Sequence, residues 1–160
     1  MSRKGQTKPR IHHPDALYQS VIVTKIINYT MKNGNKLAAQ KQVYAAMDIL
    51  KKESKSDDVV VTLEQAFENI KPKVEVRPKR IGGAVYQVPA PVRGHRQDSL
   101  AIRWLITASR KLPSKQHHTF ASKLATELLS ALKSEGASVG KRLEVEKMAD
   151  ANKAFAHLRW

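Results

Sequence analysis

A glycine pair, Gly82-Gly83, separates two β-prone runs and constrains the fold more than any other feature of the chain. The pair accepts the positive φ angles of a tight hairpin turn, so residues 73–92 are predicted to form an antiparallel β-hairpin. The register then pairs Ile81 with Ala84, Lys79 with Tyr86, and Arg77 with Val88. A two-stranded ribbon is marginal by itself in water. The hairpin must therefore be stabilised by contacts with the rest of the chain or with a partner.

Everything else that is ordered is predicted to be helical, because apolar residues recur at spacings of three and four. Six helices are expected: from Ser20 to a C-cap at Gly34; from Lys36 to about Lys52; from a capping box at Thr62 to Pro72; from beyond Pro91 to Pro113; from a cap at Ser114 to a loop bounded by Gly136 and Gly140; and from Lys141 to about Phe155. The predicted fold is mainly α: one domain over residues 1–160, a six-helix bundle-like unit with one protruding two-stranded antiparallel hairpin. Residues 1–16 are basic and aperiodic, and are expected to form a flexible arm.

The charge of the chain indicates its partner. Lys and Arg number 29 against 14 Asp and Glu, which gives a net charge of +15. Such a surplus opposes compaction unless a polyanion screens it, so nucleic acid is the leading partner class. A membrane is second, but we find no apolar run of the ~18 residues that a spanning helix needs and no signal-peptide pattern. The absence of cysteine excludes disulfides and thiolate metal sites.

The surplus is concentrated in two segments. Residues 71–111 hold ten Lys and Arg against Glu75 and Asp98, and residues 1–16 hold four against Asp15. Basic side chains beside an aromatic ring neutralise phosphates and stack on bases. The predicted RNA-binding residues are Arg3, Lys4, Lys8, Arg10, Lys25, Lys32, Lys36, Lys73, Arg77, Lys79, Arg80, Gly82, Gly83, Tyr86, Arg93, Arg96, Arg103, Arg110, Lys111 and Lys115. The alternative is an ordinary hairpin with a solvated basic face.

No catalytic or metal-binding constellation is predicted. The six histidines show neither the i, i+4 spacing nor the neighbouring carboxylates of a zinc site. No serine has a nucleophile-elbow context, no carboxylate pair suits acid–base work, and no glycine-rich loop opens a helix after a strand. We therefore expect no catalytic residue, no metal and no cofactor. Trp104 is assigned to the core, and the position of Trp160 stays open.

Four ordered blocks resemble one known family. They are residues 74–89 of the hairpin; Pro14-Asp15-x-x-Tyr18-x-Ser20 with Lys25-Ile-Ile-Asn28; Leu100-Ala-Ile-Arg103-Trp104-Leu105; and Met148-Ala-Asp-Ala-Asn152 running on to His157-Leu-Arg159-Trp160. In sequence and order they resemble the family of small-subunit ribosomal protein seven, over essentially the whole chain. The length is similar to that of bacterial or organellar members.

The resemblance implies a non-enzymatic structural constituent of the small ribosomal subunit, in the cytoplasm. It implies a protein that binds small-subunit ribosomal RNA directly and nucleates assembly of the subunit head on the third major domain of that RNA. It also implies a place at the subunit interface near the exit site, with the hairpin approaching exiting transfer RNA and upstream messenger RNA. Ribosomal proteins nine and eleven are the implied protein partners.

Two other classes remain open from the residues alone. A generic RNA- or DNA-binding regulator could use residues 93–135 as a helix-turn-helix-like pair around Pro113. The sharp turn lacks the usual glycine, however, and the basic residues centre on the hairpin and the helix after it. An RNA-processing enzyme would need catalytic residues that the sequence does not display.

Overall fold

The structure, a computed structural model, describes residues 12–54 and 58–158. Within them the elements follow in the order α1 (Val21–Thr30), α2 (Lys36–Ser54), α3 (Val59–Ile70), β1 (Val74–Ile81), β2 (Ala84–Pro91), α4 (Gly94–Lys111), α5 (Phe120–Leu132), α6 (Ala137–Ala151) and a 3-10 helix (Lys153–Leu158). The predicted mainly helical fold with a single hairpin is confirmed. The arm residues 1–11 and Trp160 lie outside the described residues.

The core forms around α5, which packs against α2, α3, α4 and α6. Its apolar residues recur at spacings of three and four, so one wide stripe of the helix is buried. The largest fully buried side chains come from the five helices α1 to α5 and include Ile26, Leu50, Phe67, Leu105 and Leu128. Trp104 is half-buried and packs against this core, as predicted, while Ile102, which the sequence pattern did not single out, is fully buried.

The first helix ends earlier than predicted. α1 stops at Thr30, and the N–H of Met31 makes the last helical hydrogen bond, to Ile27 O, before the chain turns to an extended ψ of 135°. Gly34 does have a positive φ of 78°, but it lies in the turn that leads into α2. Its prediction as the C-cap of α1 was therefore wrong.

The third helix begins earlier than predicted. Asp58 is its N-cap, because its carboxylate accepts hydrogen bonds from the N–H groups of Val60 and Val61. Thr62, predicted to start the helix, is instead a buried residue of the first turn whose hydroxyl donates to Asp58 O at 3.0 Å. An ionised side chain is a better cap than the Thr62-x-x-Gln65 pattern offered.

The fifth helix also begins at a residue other than the predicted one. Its N-cap is Thr119, whose Oγ1 accepts from Ser122 N, whereas Ser114 lies in the connection of residues 112–119. Ser114 there accepts a hydrogen bond from Lys123 Nζ at 3.0 Å. An eight-residue connection is longer than the three- or four-residue turn of a helix-turn-helix. The DNA-binding alternative therefore loses its structural basis.

The loop predicted between Gly136 and Gly140 is absent: α6 begins at Ala137 and contains Gly140. Its start is fixed from another helix, because the 3 % exposed Glu127 of α5 accepts from both the N–H and the hydroxyl of Ser138, at 2.8 and 2.7 Å. A carboxylate at a helix N-terminus satisfies free N–H groups and the helix dipole. This cap comes from eleven residues away, so no local pattern reveals it.

Asp15 anchors the segment that follows the predicted arm. It is buried, and its carboxylate accepts from the N–H groups of Leu17 and Tyr18 and from the hydroxyl of Tyr44 on α2. The predicted flexible arm of residues 1–16 is therefore too long at its C-terminal end, since Asp15 belongs to the folded domain.

Candidate nucleic-acid interface

The hairpin has the predicted register, with Ile81 opposite Ala84, Lys79 opposite Tyr86 and Arg77 opposite Val88. Gly82 and Gly83 adopt φ angles of 56° and 89°, as a primed turn requires. The base of the hairpin is part of the domain, since Val88, Ala90 and Val92 are buried. Farther from the base, β2 packs against the 3-10 helix. The glycine pair and the flanking Arg80 and Val85 are exposed, as are Pro78 and Gln87.

A buried carboxylate holds the base of the hairpin against α4. Glu75, whose side chain is 8 % exposed, accepts hydrogen bonds from Arg77 Nε and from Arg96 Nε, each at 2.6 Å. Burial opposes its ionisation, but the hydrogen bonds and charges of Arg96 and Arg77 outweigh burial and lower the pKa of Glu75. The side chains of Arg77 and Arg96 remain more than half exposed, at 58 % and 53 %. Each arginine is thus oriented by Glu75 and still reachable from solvent.

A groove with a volume of about 580 Å³ opens beside the contacts between Glu75 and the two arginines. Arg77, Lys79 and Arg93 form its cationic rim, and Val88 and Ala90 contribute to an apolar wall. Cations around an apolar surface match a nucleotide strand, whose phosphates are charged and whose sugars and bases present flat apolar faces.

The basic surface continues along α4. Arg96, Arg103 and Arg110 are exposed and spaced by seven residues, so they follow one side of the helix. From Arg93 at its N-cap to Arg110 in its last turn, α4 spans about 25 Å at 1.5 Å per residue. Arg110 is fixed there because its Nη2 donates to Thr30 O at 3.0 Å.

The structure brings some predicted residues together and gives others internal partners. Lys25 forms an ion pair with Asp98 at 2.8 Å, Lys79 Nζ donates to Leu158 O at 3.2 Å, and the ring of Tyr86 packs on Phe155 with centroids 5.3 Å apart. The other described cations of the predicted set are exposed: Lys32, Lys36, Lys73, Arg77, Arg80, Arg93, Arg96, Arg103, Arg110, Lys111 and Lys115. Arg3, Lys4, Lys8 and Arg10 lie outside the described residues.

Asp98 joins three helical segments at the edge of this surface. It accepts from Lys25 of α1 and lies 3.4 Å from the ammonium group of Lys71, which follows α3. Burial opposes ionisation, but the hydrogen bond and charge of Lys25, helped by Lys71, lower the pKa of Asp98. The two acids of the basic tract therefore have structural roles. Glu75 joins β1 to α4 through Arg96, and Asp98 joins α4 to α1 through Lys25 and to the end of α3 through Lys71.

Within residues 12–54 and 58–158, no three His, Asp or Glu side chains are arranged to hold a metal ion. None of the described helices is both long and apolar enough to cross a membrane.

The comparisons with known proteins decide the family. The profile of the family described as Ribosomal protein S7p/S5e matches residues 2–153. The chain belongs to this family. It is 49 % identical to "Small ribosomal subunit protein uS7" of Fervidobacterium nodosum over 158 residues, which covers 99 % of each chain. It is 48 % identical to the protein of that name from a Sulfurihydrogenibium species, and 44 % identical to that from Stenotrophomonas maltophilia, each over the full length of both chains.

Membership confirms the resemblance seen in the sequence and gives the chain its general role. It is a structural, non-enzymatic constituent of the small ribosomal subunit, of bacterial type, with the ribosomal-RNA binding that is general to the family. Its place is the cytoplasmic ribosome.

The sequence did not reveal the residues whose role is to orient other side chains. Glu75 was counted only as a charge opposing its neighbours, although its i, i+2 spacing to Arg77 on a strand puts both on one face. A cavity beside Arg110, which also involves Gln42 and Phe120, was missed because its lining comes from segments far apart in the chain.

Proposed function

We propose that the chain binds small-subunit ribosomal RNA through one continuous basic surface, defined here as the hairpin base, the exposed side of α4 and the loop between α1 and α2. The observation that carries this proposal is the placement of arginines at both ends of α4, about 25 Å apart. A rigid surface of that span can contact separate segments of a folded RNA at once. That is what a protein needs if it is to fix RNA helices relative to one another.

The finer role follows from such multiple contacts. A protein that joins separate RNA segments early stabilises their arrangement before later proteins bind. We propose that this chain nucleates assembly of the head of the subunit on the third major domain of its RNA, as the family resemblance implies. The ordered positioning of Arg77 and Arg96 by Glu75 supports this role, because oriented guanidinium groups lose less freedom when they bind phosphate.

The tip of the hairpin fits a different task. Gly82, Gly83 and Ala84 are small and exposed, so the backbone there can approach another chain closely. Within this proposal the tip reaches the exit site, where it meets exiting transfer RNA and upstream messenger RNA, and the protein neighbours are ribosomal proteins nine and eleven.

Chemical footprinting of the protein on full-length small-subunit RNA tests the first part. We expect protected nucleotides in several separate segments of the third major domain. Protection confined to a single helix, or spread evenly over all domains, would contradict the proposed assembly role.

Directed probing tests the position of the tip. Because the sequence has no cysteine, Ala84→Cys provides one attachment point for a radical-generating probe. In subunits that contain transfer RNA and messenger RNA, strand cleavage is expected in the exit-site transfer RNA and in upstream messenger RNA. A probe on Val61→Cys, an exposed residue of α3, is the control and should leave both strands intact. Equal cleavage from the two positions would place the tip elsewhere.

A further inference from the structure

The 3-10 helix packs against the hairpin rather than against the core. Its principal neighbours are α6, from which the chain enters it, and strand β2. None of its residues is buried. Core packing therefore does not account for its position, and its contacts with the hairpin do.

Two contacts join the 3-10 helix to the middle of the hairpin. The ring of Phe155 packs on that of Tyr86, with centroids 5.3 Å apart and planes tilted by 57°, an arrangement that aromatic rings favour. Lys79 Nζ donates to Leu158 O at 3.2 Å. Lys79 and Tyr86 lie opposite each other in the register. The 3-10 helix thus contacts both strands at the same level of the hairpin.

The 3-10 helix is in turn fixed to the core through α6. The backbone N–H and Nδ2 of Asn152 donate to Met148 O at 3.2 and 2.8 Å, and Phe155 N donates to Asn152 O at 3.0 Å. The first turn of α6 is held by the bonds from Ser138 to the buried Glu127 of α5. A continuous set of packed and hydrogen-bonded elements therefore connects α5 to the middle of the hairpin.

The hairpin is consequently held at two levels. Glu75 joins its base to α4 through Arg96, and Lys79 lies four residues farther along β1, roughly 13 Å away at 3.3 Å per residue. A two-stranded ribbon is marginal by itself and twists readily. If it were held only at its base, it could pivot there. A second attachment at the level of Lys79 and Tyr86 fixes its direction.

The length of the hairpin amplifies any such pivot. Seven residues separate Glu75 from Gly82, which corresponds to roughly 23 Å of strand. A pivot of about 15° at the base would move the turn by about 6 Å, which exceeds the spacing of two neighbouring strands. A small contact in the middle of the hairpin therefore has a large effect on where its tip lies.

We infer that the 3-10 helix is a brace that sets the direction of the hairpin, with Phe155 as its positioning residue. Phe155 acts through Tyr86 and needs no contact of its own with RNA. The brace is a property of the free protein. Its use, which is to hold the tip at the exit site, rests on the proposed function.

Distances between spin labels in the free protein test the brace. Because the sequence has no cysteine, Ala84→Cys at the tip can be paired with Val61→Cys on α3 or with Leu37→Cys on α2, both exposed. With the brace intact, each pair should give one narrow distance distribution. Phe155→Ala should widen or shift at least one of them by about 6 Å, the displacement that a pivot of about 15° produces.

The same variant should stay folded. Phe155 is only half-buried, so its melting temperature should fall by no more than about 2–4 °C. Its affinity for small-subunit RNA should equal that of the wild type, since the basic surface is unaltered. A change of direction without loss of the fold is a result that a merely structural role does not produce.

Leu143→Ala is the matched control, because Leu143 is an exposed apolar residue of α6. It should leave both distance distributions unchanged. Tyr86→Leu removes the other ring of the pair and should widen the distributions as Phe155→Ala does. The double variant should widen them no further, since both substitutions remove the same contact.

Two results would overturn the brace: distributions that stay narrow and unshifted in both Phe155→Ala and Tyr86→Leu, or a wild-type distribution that is already broad. The first would mean that the base alone fixes the hairpin. The second would mean that nothing in the free protein fixes it.

A probe on the tip then separates the brace from its proposed use. In subunits that carry the radical-generating group on Ala84→Cys, adding Phe155→Ala should spread the cleavage of exit-site transfer RNA over more nucleotides. If the wild-type tip cleaves neither transfer RNA nor messenger RNA while the spin-label distances respond as expected, the brace stands and the proposed exit-site role fails.

Discussion

At the scale of single residues, Glu75 is the group on which the basic surface depends. It is buried and accepts from two arginines, so Glu75→Gln should lower the free energy of unfolding by about 1–3 kcal/mol at neutral pH. Glu64→Gln, an exposed residue of α3, is the control and should change stability by less than about 0.5 kcal/mol. Urea unfolding of the three proteins measures the difference.

The pH dependence of that difference has a definite sign. The pKa of Glu75 is lower in the folded protein than its ordinary value of 4.5, so its ionisation stabilises the fold above that pH. The stabilisation is lost as the pH falls through the folded-state pKa. The gap between wild type and Glu75→Gln should therefore be full at pH 7 and shrink below about pH 4.5. A gap that stays constant down to pH 3 would show that the ion pairs contribute nothing.

Gly136, the N-cap residue of α6, and Gly140, inside that helix, should respond oppositely to replacement by alanine. Gly136 has φ 96° and ψ 165°, and a Cβ there would lie 3.0 Å from Glu127 Oε1 and 3.1 Å from Ser130 Cβ. Gly136→Ala should thus destabilise the protein by about 1–3 kcal/mol. Gly140 lies inside the helix with open space around it, so Gly140→Ala should stabilise by about 0.5–1 kcal/mol. Thermal unfolding measures both, and shifts of the same sign would contradict the placement of the helix start.

At the scale of elements, the sequence predicted the six α-helices in their order and the register of the hairpin. It extended the last helix to about Phe155, which was wrong: α6 ends at Ala151 and a 3-10 helix follows over Lys153–Leu158. Periodicity and turn chemistry are local signals, and both act within a few residues. The predicted helix starts were wrong in two situations: where the capping side chain comes from another part of the chain, and where a stronger cap lies close to the predicted one. Glu127 caps α6 from another helix, and Asp58 outcompetes Thr62 at α3.

The hairpin divides into a base that supports the fold and a tip that does not. Removing the pairs Arg80–Val85 and Ile81–Ala84 keeps the Gly82-Gly83 turn and leaves every remaining side chain on its original face, since the strand period is two. The melting temperature and most of the affinity for ribosomal RNA should be retained, because the buried residues lie at the base. Exit-site transfer RNA occupancy or reading-frame maintenance should be impaired instead. Unfolding of the shortened protein would show that the tip is structural.

At the scale of the whole molecule, the net charge of +15 indicated a polyanionic partner. Charge alone could not distinguish the basic side chains that are available to RNA from those that form ion pairs within the protein. Lys25 and Lys71 share Asp98, while Arg77 and Arg96 share Glu75. These pairings join residues from 2 to 73 positions apart. Most are therefore visible only in the folded chain. The buried Glu75 and the partly buried Asp98 thus organise a tract whose cations would otherwise repel one another.

The basic surface makes a quantitative prediction about salt. If six to ten cations meet phosphates, affinity for small-subunit RNA should fall by roughly 10³–10⁵ between 50 and 200 mM salt. Arg103→Gln removes an exposed arginine with no partner among the described residues, so it should weaken binding and reduce the slope of log affinity against log salt by about one. Lys52→Gln removes an equal charge from the last turn of α2, outside that surface, and should leave the slope unchanged. Equal effects of the two substitutions would mean that net charge, rather than the surface along α4, sets the affinity.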